Sequence, residues 1–172
     1  MFFDMNPFIQ KIEKVVVNVG LGRMHSEAHF EDKILPEIAK ELALITGQKP
    51  SPRPARMSVA GFKVREGEII GLKTTLRKKK MADFLARLIN AALPRVKDFR
   101  GLDSKIIDEN GNMNIGLRDK MVFPEIDPNE SRLNFGLQIT IVPKMINAKK
   151  ENMFEFYKSL GMPLKPPAAV VK

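Results

Sequence analysis

Three prolines at alternate positions, in Lys49-Pro-Ser-Pro-Arg-Pro-Ala-Arg56, constrain this chain more than any other feature. Proline has no N–H to give to a β-ladder, so the segment can form an extended edge strand but cannot lie between two other strands. Any sheet built around it must end there. Other segments supply the remaining strands. Ile12–Val19 is a β-rich run closed by Gly20-Leu-Gly22, which reads as a strand entering a tight turn. In Ile69–Arg77, Leu72, Thr74 and Leu76 share one face while Lys73, Thr75 and Arg77 share the other. Leu137–Val142 alternates in the same way, and Asn110-Gly111 predicts a type I′ turn joining short strands at Lys105–Asp108 and Asn112–Leu117. The segment from Gly61 to Gly67, leading into the strand at Ile69, reads as a long mobile basic loop or an irregular hairpin.

Between the strands the period changes. Phe30, Ile34, Ile38, Leu42 and Ile45 recur at spacings of four and three, forming an apolar stripe that ends at Gly47. Pro36 interrupts it, so either the regular helix starts there or it kinks before that residue. Met81, Phe84, Leu88 and Ala92 mark a second helix stopped by Pro94, and Met153, Phe156, Tyr157 and Leu160 mark a third ending at Gly161. The sequence therefore reads as an α+β fold, a largely antiparallel sheet with helices packed on one face and the other face free to bind. With 172 residues, 44% of them hydrophobic, one core suffices. Residues 1–162 are taken as a single domain and 163–172, rich in Pro, Ala and Val, as a flexible C-terminal tail. The N-terminus has neither the basic nor the apolar region of a secretory signal, and no apolar run is long enough to span a bilayer. A cytoplasmic protein with no membrane partner is expected.

The charge is concentrated. The chain carries 29 Lys+Arg against 20 Asp+Glu, a formal +9, yet residues 49–80 alone hold ten basic side chains against two acidic ones. A surface charged only for solubility would be mixed, whereas this pattern predicts a site for a polyanion. Arg77, Lys78, Lys79 and Lys80 are adjacent and repel one another unless an anion lies close. Together with Arg53, Arg56, Lys63, Arg65 and Lys73 they describe one phosphate-binding surface. The segment lacks the paired aromatics of a base-stacking sheet, so folded RNA read through shape, backbone and a few polar contacts is the expected ligand. Met57 and Phe62 are apolar exceptions inside the basic loop, suited to packing on a nucleobase or ribose or to anchoring the loop.

Catalytic and cofactor readings find little support. His25 and His29 are four apart with Glu27 nearby, but no third metal ligand presents itself, and no metal is assigned. Gly20-Leu-Gly22 lacks the later glycine of a dinucleotide fingerprint, and Gly67 is followed by Glu68 where a phosphate loop would differ. There is no cysteine nucleophile, and Asp108-Glu109 reads as solvated loop charge. No enzyme activity and no cofactor are expected.

Several strings carry a resemblance to a known family. Ile12-Glu-Lys-Val-Val-Val-Asn-Val-Gly20, Leu42-Ala-Leu-Ile-Thr-Gly-Gln-Lys-Pro50, Gly61-Phe-Lys-Val-Arg-Glu-Gly67 and Leu88-Ile-Asn-Ala-Ala-Leu-Pro-Arg-Val-Lys-Asp-Phe-Arg-Gly101 closely resemble the ribosomal large-subunit protein five family. The likeness continues through Asn112–Gly116, Val122-Phe-Pro-Glu-Ile126 and Leu160-Gly-Met-Pro163. It implies a structural constituent of the large subunit that holds 5S ribosomal RNA in the central protuberance, contacts large-subunit ribosomal RNA and meets neighbouring ribosomal proteins. One of those neighbours is a protein of the small-subunit head, across an intersubunit bridge. It further implies that Asn18, Gln48 and Thr75 centre the 5S contact, and Lys49, Lys73, Arg77, Lys78, Lys79, Lys80, Arg95 and Arg100 are taken as further residues that bind ribosomal RNA. By the same resemblance the loop bearing Arg53, Arg56, Met57, Ser58, Phe62, Lys63 and Arg65 reaches the peptidyl-site transfer RNA. Many bacterial members carry a helix before the first strand, whereas this chain is expected to enter that strand almost directly. The rival reading is an extraribosomal RNA chaperone or regulator using the same basic face.

Overall fold

The computed structural model describes residues 6–25, 27, 29–129, 131, 133–144 and 150–165. Five strands, β1 (Ile12–Gly20), β2 (Ser51–Pro54), β3 (Ile69–Leu76), β4 (Met113–Leu117) and β5 (Leu137–Pro143), form one sheet in the order β2-β3-β1-β5-β4. Every neighbouring pair is antiparallel. The proline segment takes the edge, as its missing donors require, and pairs through Ser51↔Lys73, Pro52↔Leu72 and Arg53↔Gly71. Four α-helices, α1 (Asn6–Lys11), α2 (Leu35–Thr46), α3 (Lys78–Arg87) and α4 (Lys150–Ser159), accompany the sheet.

Alternation in β1 decides which side is covered. Val15, Val17 and Val19 are 0%, 0% and 2% exposed and join a core with Ile38, Leu42 and Ile45 of α2, Met81, Phe84 and Leu85 of α3, and Met153 and Tyr157 of α4. In β3 Leu72, Thr74 and Leu76 point the same way and are buried, while Lys73 and Thr75 are half-buried on the other side. Inside this core Lys120 lies with no exposed surface, paired with Glu41 of α2 and 4.5 Å from the centre of the Phe135 ring. Burial of a charge is tolerable only with such compensation.

Several local expectations need correction. The helical stripe from Phe30 begins as a wide π-type turn, Phe30–Ile34, and the regular helix starts at Leu35 with Pro36 in its first turn, one of the two alternatives that the proline left open. Gly47 ends it at φ 68°, its N–H donating to Ala43 O. The expected strand at Lys105–Asp108 is not one: Ser104–Ile106 is a 3-10 turn, and only Ile107 bridges to Met113. The adjoining turn is also not type I′, because only Gly111 (φ 80°) takes positive φ, not Glu109 or Asn110. Asp108 O accepts from Gly111 N–H and Asp108 N–H donates to Asn112 O, the pattern of a three-residue loop with a glycine bulge. The Asp108 carboxylate is not merely solvated, since it accepts from the Asn112 backbone N–H and side-chain amide. A helix does precede β1: Asn6–Lys11 buries Phe8 against the core. Pro163–Lys165, at the start of the segment read as a tail, is tied to the body through Leu102 N–H to Pro163 O and Lys165 N–H to Leu102 O. The rest of that segment, residues 166–172, lies outside the described residues.

Candidate nucleic-acid interface

The side of the sheet away from the core is polar. Its registered rows can be read directly: Ser51, Lys73, Asn18, Gln138 and Gly116 follow one another across the five strands, and Thr75, Val16, Thr140 and Asn114 form the next row. Antiparallel pairing brings residues in one row to within about 5 Å of their neighbours. Thr140 Oγ1 donates to Asn114 Oδ1 at 2.8 Å, so that pair is already satisfied internally.

Asn18, Gln48 and Thr75 come together here. Gln48 follows the C-terminus of α2 and its Nε2 donates to Thr75 O at 3.2 Å, which ties the helix end to β3. Thr46 Oγ1, bonded to Leu42 O and near Gln48, holds that helix end in place. With its amide nitrogen engaged, Gln48 retains its carbonyl oxygen as an acceptor. Asn18 stands on the adjacent strand, opposite Lys73, and all three residues are half-buried.

Beside them lies the cation cluster. Arg77 precedes α3 in extended conformation, gives it no side-chain cap, and the first turn carries no acidic residue. The cations of Arg77, Lys78, Lys79 and Lys80 therefore sit at the positive end of the helix dipole, an arrangement that an anion relieves. Lys78 opens the helix at φ 53°, in the left-handed region that non-glycine residues rarely adopt. Lys80 is partly committed, donating to Gly47 O at 3.1 Å at the end of α2. Among the described residues neither Lys78 nor Lys79 has a carboxylate partner, and both are exposed, as is Lys49.

The basic segment is an irregular hairpin that extends from the β2–β3 end of the sheet. Val59 and Val64 pair through two backbone hydrogen bonds around a 3-10 turn, Ala60–Phe62. Ala55 at its base and Val64 beside the tip turn are buried, while Arg53, Arg56, Lys63 and Arg65 are exposed. Met57 and Phe62 are 68% and 78% exposed, too open to be anchors, so anchoring falls to Ala55 and Val64. Ser58 is turned inward, its Oγ accepting Glu66 N–H at 3.0 Å. Glu68 fixes the hairpin to the body: its carboxylate accepts the Arg65 N–H at 2.7 Å and lies 2.6 Å from His25 Nε2. The Arg65 N–H, and secondarily His25, hold the Glu68 carboxyl below the usual carboxylate range. His25 thus faces Glu68, and no group of three His, Cys, Asp or Glu side chains among the described residues is placed to hold a metal. Between hairpin and sheet runs a trough of about 780 Å³ walled by Met24, Met57, Phe62 and Phe135 and rimmed by Arg23 and Arg56.

Arg95 and Arg100 are not part of this cluster. They lie beyond β4, at the opposite edge from β2, where Arg95 shares a recess of about 590 Å³ with Lys97 and Arg118. From sequence they are named among the RNA-binding residues, outside the basic stretch 49–80, and Lys97, Arg118, Gln138 and Arg23 are not singled out. The alternation of Leu137-Gln-Ile-Thr-Ile was a signal for Gln138, but nothing in the chain order announced which strand would lie beside Asn18.

Comparison with known proteins supplies the identity. The family model described as "Ribosomal protein L5" matches residues 9–65, and the companion model for the C-terminus of the same ribosomal family matches residues 69–164. The chain is 44% identical to large ribosomal subunit protein uL5 of Halothermothrix orenii over 155 residues, 90% of this chain and 83% of that protein. It is 47% identical to the protein of that name from Fusobacterium nucleatum over 156 residues, 90% of this chain and 81% of the relative. A further relative so named, from Syntrophomonas wolfei, is 46% identical over 91% of this chain and 85% of its own length. Matched along nearly all of its length by both family models and by these relatives, the chain belongs to the ribosomal protein L5 family, as a structural ribosomal protein and not an enzyme.

Proposed function

We propose that this constituent of the large ribosomal subunit binds 5S ribosomal RNA through the open face of its sheet. The observation that carries the reading is the convergence of Asn18, Gln48 and Thr75 on one half-buried polar patch beside exposed Lys78 and Lys79, which have no carboxylate partner among the described residues. The two groups divide the work. Cations on phosphate supply affinity without sequence preference, whereas amides and a hydroxyl can bond 2′-hydroxyls and base edges and so set the register. Arg95 and Arg100 contact RNA at the other sheet edge, where large-subunit ribosomal RNA is the natural second strand.

In the same reading the hairpin bearing Arg53, Arg56, Met57, Ser58, Phe62, Lys63 and Arg65 touches peptidyl-site transfer RNA. Its projection, its exposed cations and its exposed Phe62 support that role. Contact with a small-subunit head protein, across an intersubunit bridge, completes the set of partners. The protein works in the cytoplasm within the ribosome, and among the described residues no helix is long and apolar enough to cross a membrane.

The test is binding to transcribed 5S ribosomal RNA across a salt series, against a scrambled RNA of equal length. A large preference for 5S that survives at high salt supports the reading. Equal, steeply salt-dependent binding to both overturns it and leaves a generic polyanion chaperone.

A further inference from the structure

Glycine inside a strand weakens it and needs a reason: a bulge, a positive φ, or the close approach of another backbone or ligand. Two glycines on the open face have a reason internal to the protein. A Cβ added at Gly71 would stand 3.0 Å from Val19 O, and one at Gly136 would stand 3.0 Å from Leu117 O. Gly20 and Gly116 differ. Neither takes positive φ, and an added Cβ at either meets nothing within 4 Å. Both are exposed, at the end of β1 and within β4. The folded chain would accommodate a side chain at each, so no contact among the described residues accounts for glycine there.

In the same row as Gly116 stands a pair of amides. Asn18 and Gln138 are partners in the β1–β5 register, and Gln138 is in turn the partner of Gly116. Both line a groove of about 450 Å³ whose floor includes Gly20, Gly71 and Gly136 and whose wall includes Arg53. The row Ser51, Lys73, Asn18, Gln138 and Gly116 contains no carboxylate to repel phosphate. It leads from Arg53 and Lys73 on one side to the recess of Arg95, Lys97 and Arg118 beyond the other, about 19 Å across at ordinary strand spacing.

We propose that the sugar-phosphate backbone of the bound RNA crosses the whole sheet along this row, pressed onto Gly116 and flanked by Gly20 two residues beyond Asn18, and that Gln138 is a second specificity-determining amide beside Asn18. This rests on the reading of the open face as an RNA site. Each amide offers a donor and an acceptor, and the pair spans the distance between adjacent strands, which suits the 2′-hydroxyls and base edges of a wide, shallow RNA minor groove. A Cβ branch at 116 or 20 would hold the RNA off the amides without disturbing the protein.

Full-length Gly116→Val and Gln138→Ala, with wild type, are titrated with 5S ribosomal RNA and with a scrambled RNA, and their thermal unfolding is measured. Gly116→Val is expected to melt at or above the wild-type temperature, since a β-branched residue suits a strand, and to bind 5S about tenfold or more weakly. Gln138→Ala, a change at an exposed side chain, is expected to weaken 5S binding by about five- to tenfold and leave the scrambled RNA unaffected. Should Gly116→Val melt early, Gln138→Ala decides alone. Wild-type affinity for 5S in Gln138→Ala, or in a stably folded Gly116→Val, overturns the track while a retained 5S preference leaves the RNA reading intact. Loss of any 5S preference in the wild type itself overturns both.

Discussion

On β1, Val15, Val17 and Val19 lie sealed beneath the helices, while Asn18 and Gly20, on the same strand, face outward. The contrast extends to charge. Among the described residues the covered side admits one cation, Lys120, and balances it with Glu41 and the face of Phe135. At the solvent-exposed start of α3, Lys78 and Lys79 have no carboxylate partner among the described residues. A buried charge must be compensated during folding because its desolvation is too costly to defer. An exposed charge stays hydrated and can wait for a ligand. One face therefore records what stabilises the fold, and the other what the fold is for.

The sharpest way to break this division is at Lys120. Lys120→Ala leaves Glu41 as an uncompensated carboxylate next to the core and is expected to cost about 3–5 kcal/mol in urea unfolding, with the 5S preference of the folded fraction unchanged. Replacing both partners, Glu41→Leu with Lys120→Met, should recover most of that loss, because the pair itself contributes little net stability. If the double variant is as unstable as the single, the pair is worth more than its desolvation.

Gln48→Ala tests the other side. Removing its bond to Thr75 O and its free acceptor is expected to weaken cognate RNA by about 1–3 kcal/mol and leave scrambled RNA unchanged. Equal losses for both RNAs would assign Gln48 to the fold alone.

Tyr157 belongs wholly to the covered face, its hydroxyl donating to Gly111 O at 2.8 Å and approaching Ile141 O at 3.3 Å. Burial pushes its phenol well above the usual value of about 10. The unfolded chain releases that proton as pH rises past about 10 while the folded chain keeps it, so stability is full below that pH and falls above it. Tyr157→Phe should cost about 1 kcal/mol at neutral pH and flatten the alkaline fall measured by unfolding at pH 8–11. An unchanged alkaline limb would assign that fall to other groups.

The smallest effect is the most diffuse. Lys78→Gln with Lys79→Gln should leave stability unaltered and lower the slope of log affinity against log salt by about one unit for each phosphate no longer neutralised. An unchanged slope would make these lysines solvated charge only.

Much of this was legible in the chain. The edge position of Pro52 and Pro54, the two faces of β3 and the stripes of α2, α3 and α4 follow from missing donors and from periods of two and 3.6 residues. Local geometry was harder to read. Asn110-Gly111 suggested a type I′ turn, but Asp108 captured the Asn112 amide and a glycine bulge formed instead. The helix at Asn6–Lys11 was missed because six residues carry too little periodicity, and it gains its stability by burying Phe8. Arg95 and Arg100 are named with the RNA-binding residues, but nothing in the chain order says that α3 and the turns after it carry them to the far edge of the sheet.

By itself the sequence determined where the sheet must end, which residues face inward along each strand and where positive charge accumulates, because these depend on neighbours one to four positions away. It also carried, through its resemblance, the names of three polar residues. Only the tertiary structure decided that β5 lies beside β1, and so that Gln138 stands next to Asn18, that Gln48 reaches the carbonyl of Thr75, and that Glu41 meets Lys120 from 79 residues away. Those pairings depend on strand order, which is settled by burying all the apolar faces in one core at once, a condition no local window of sequence contains.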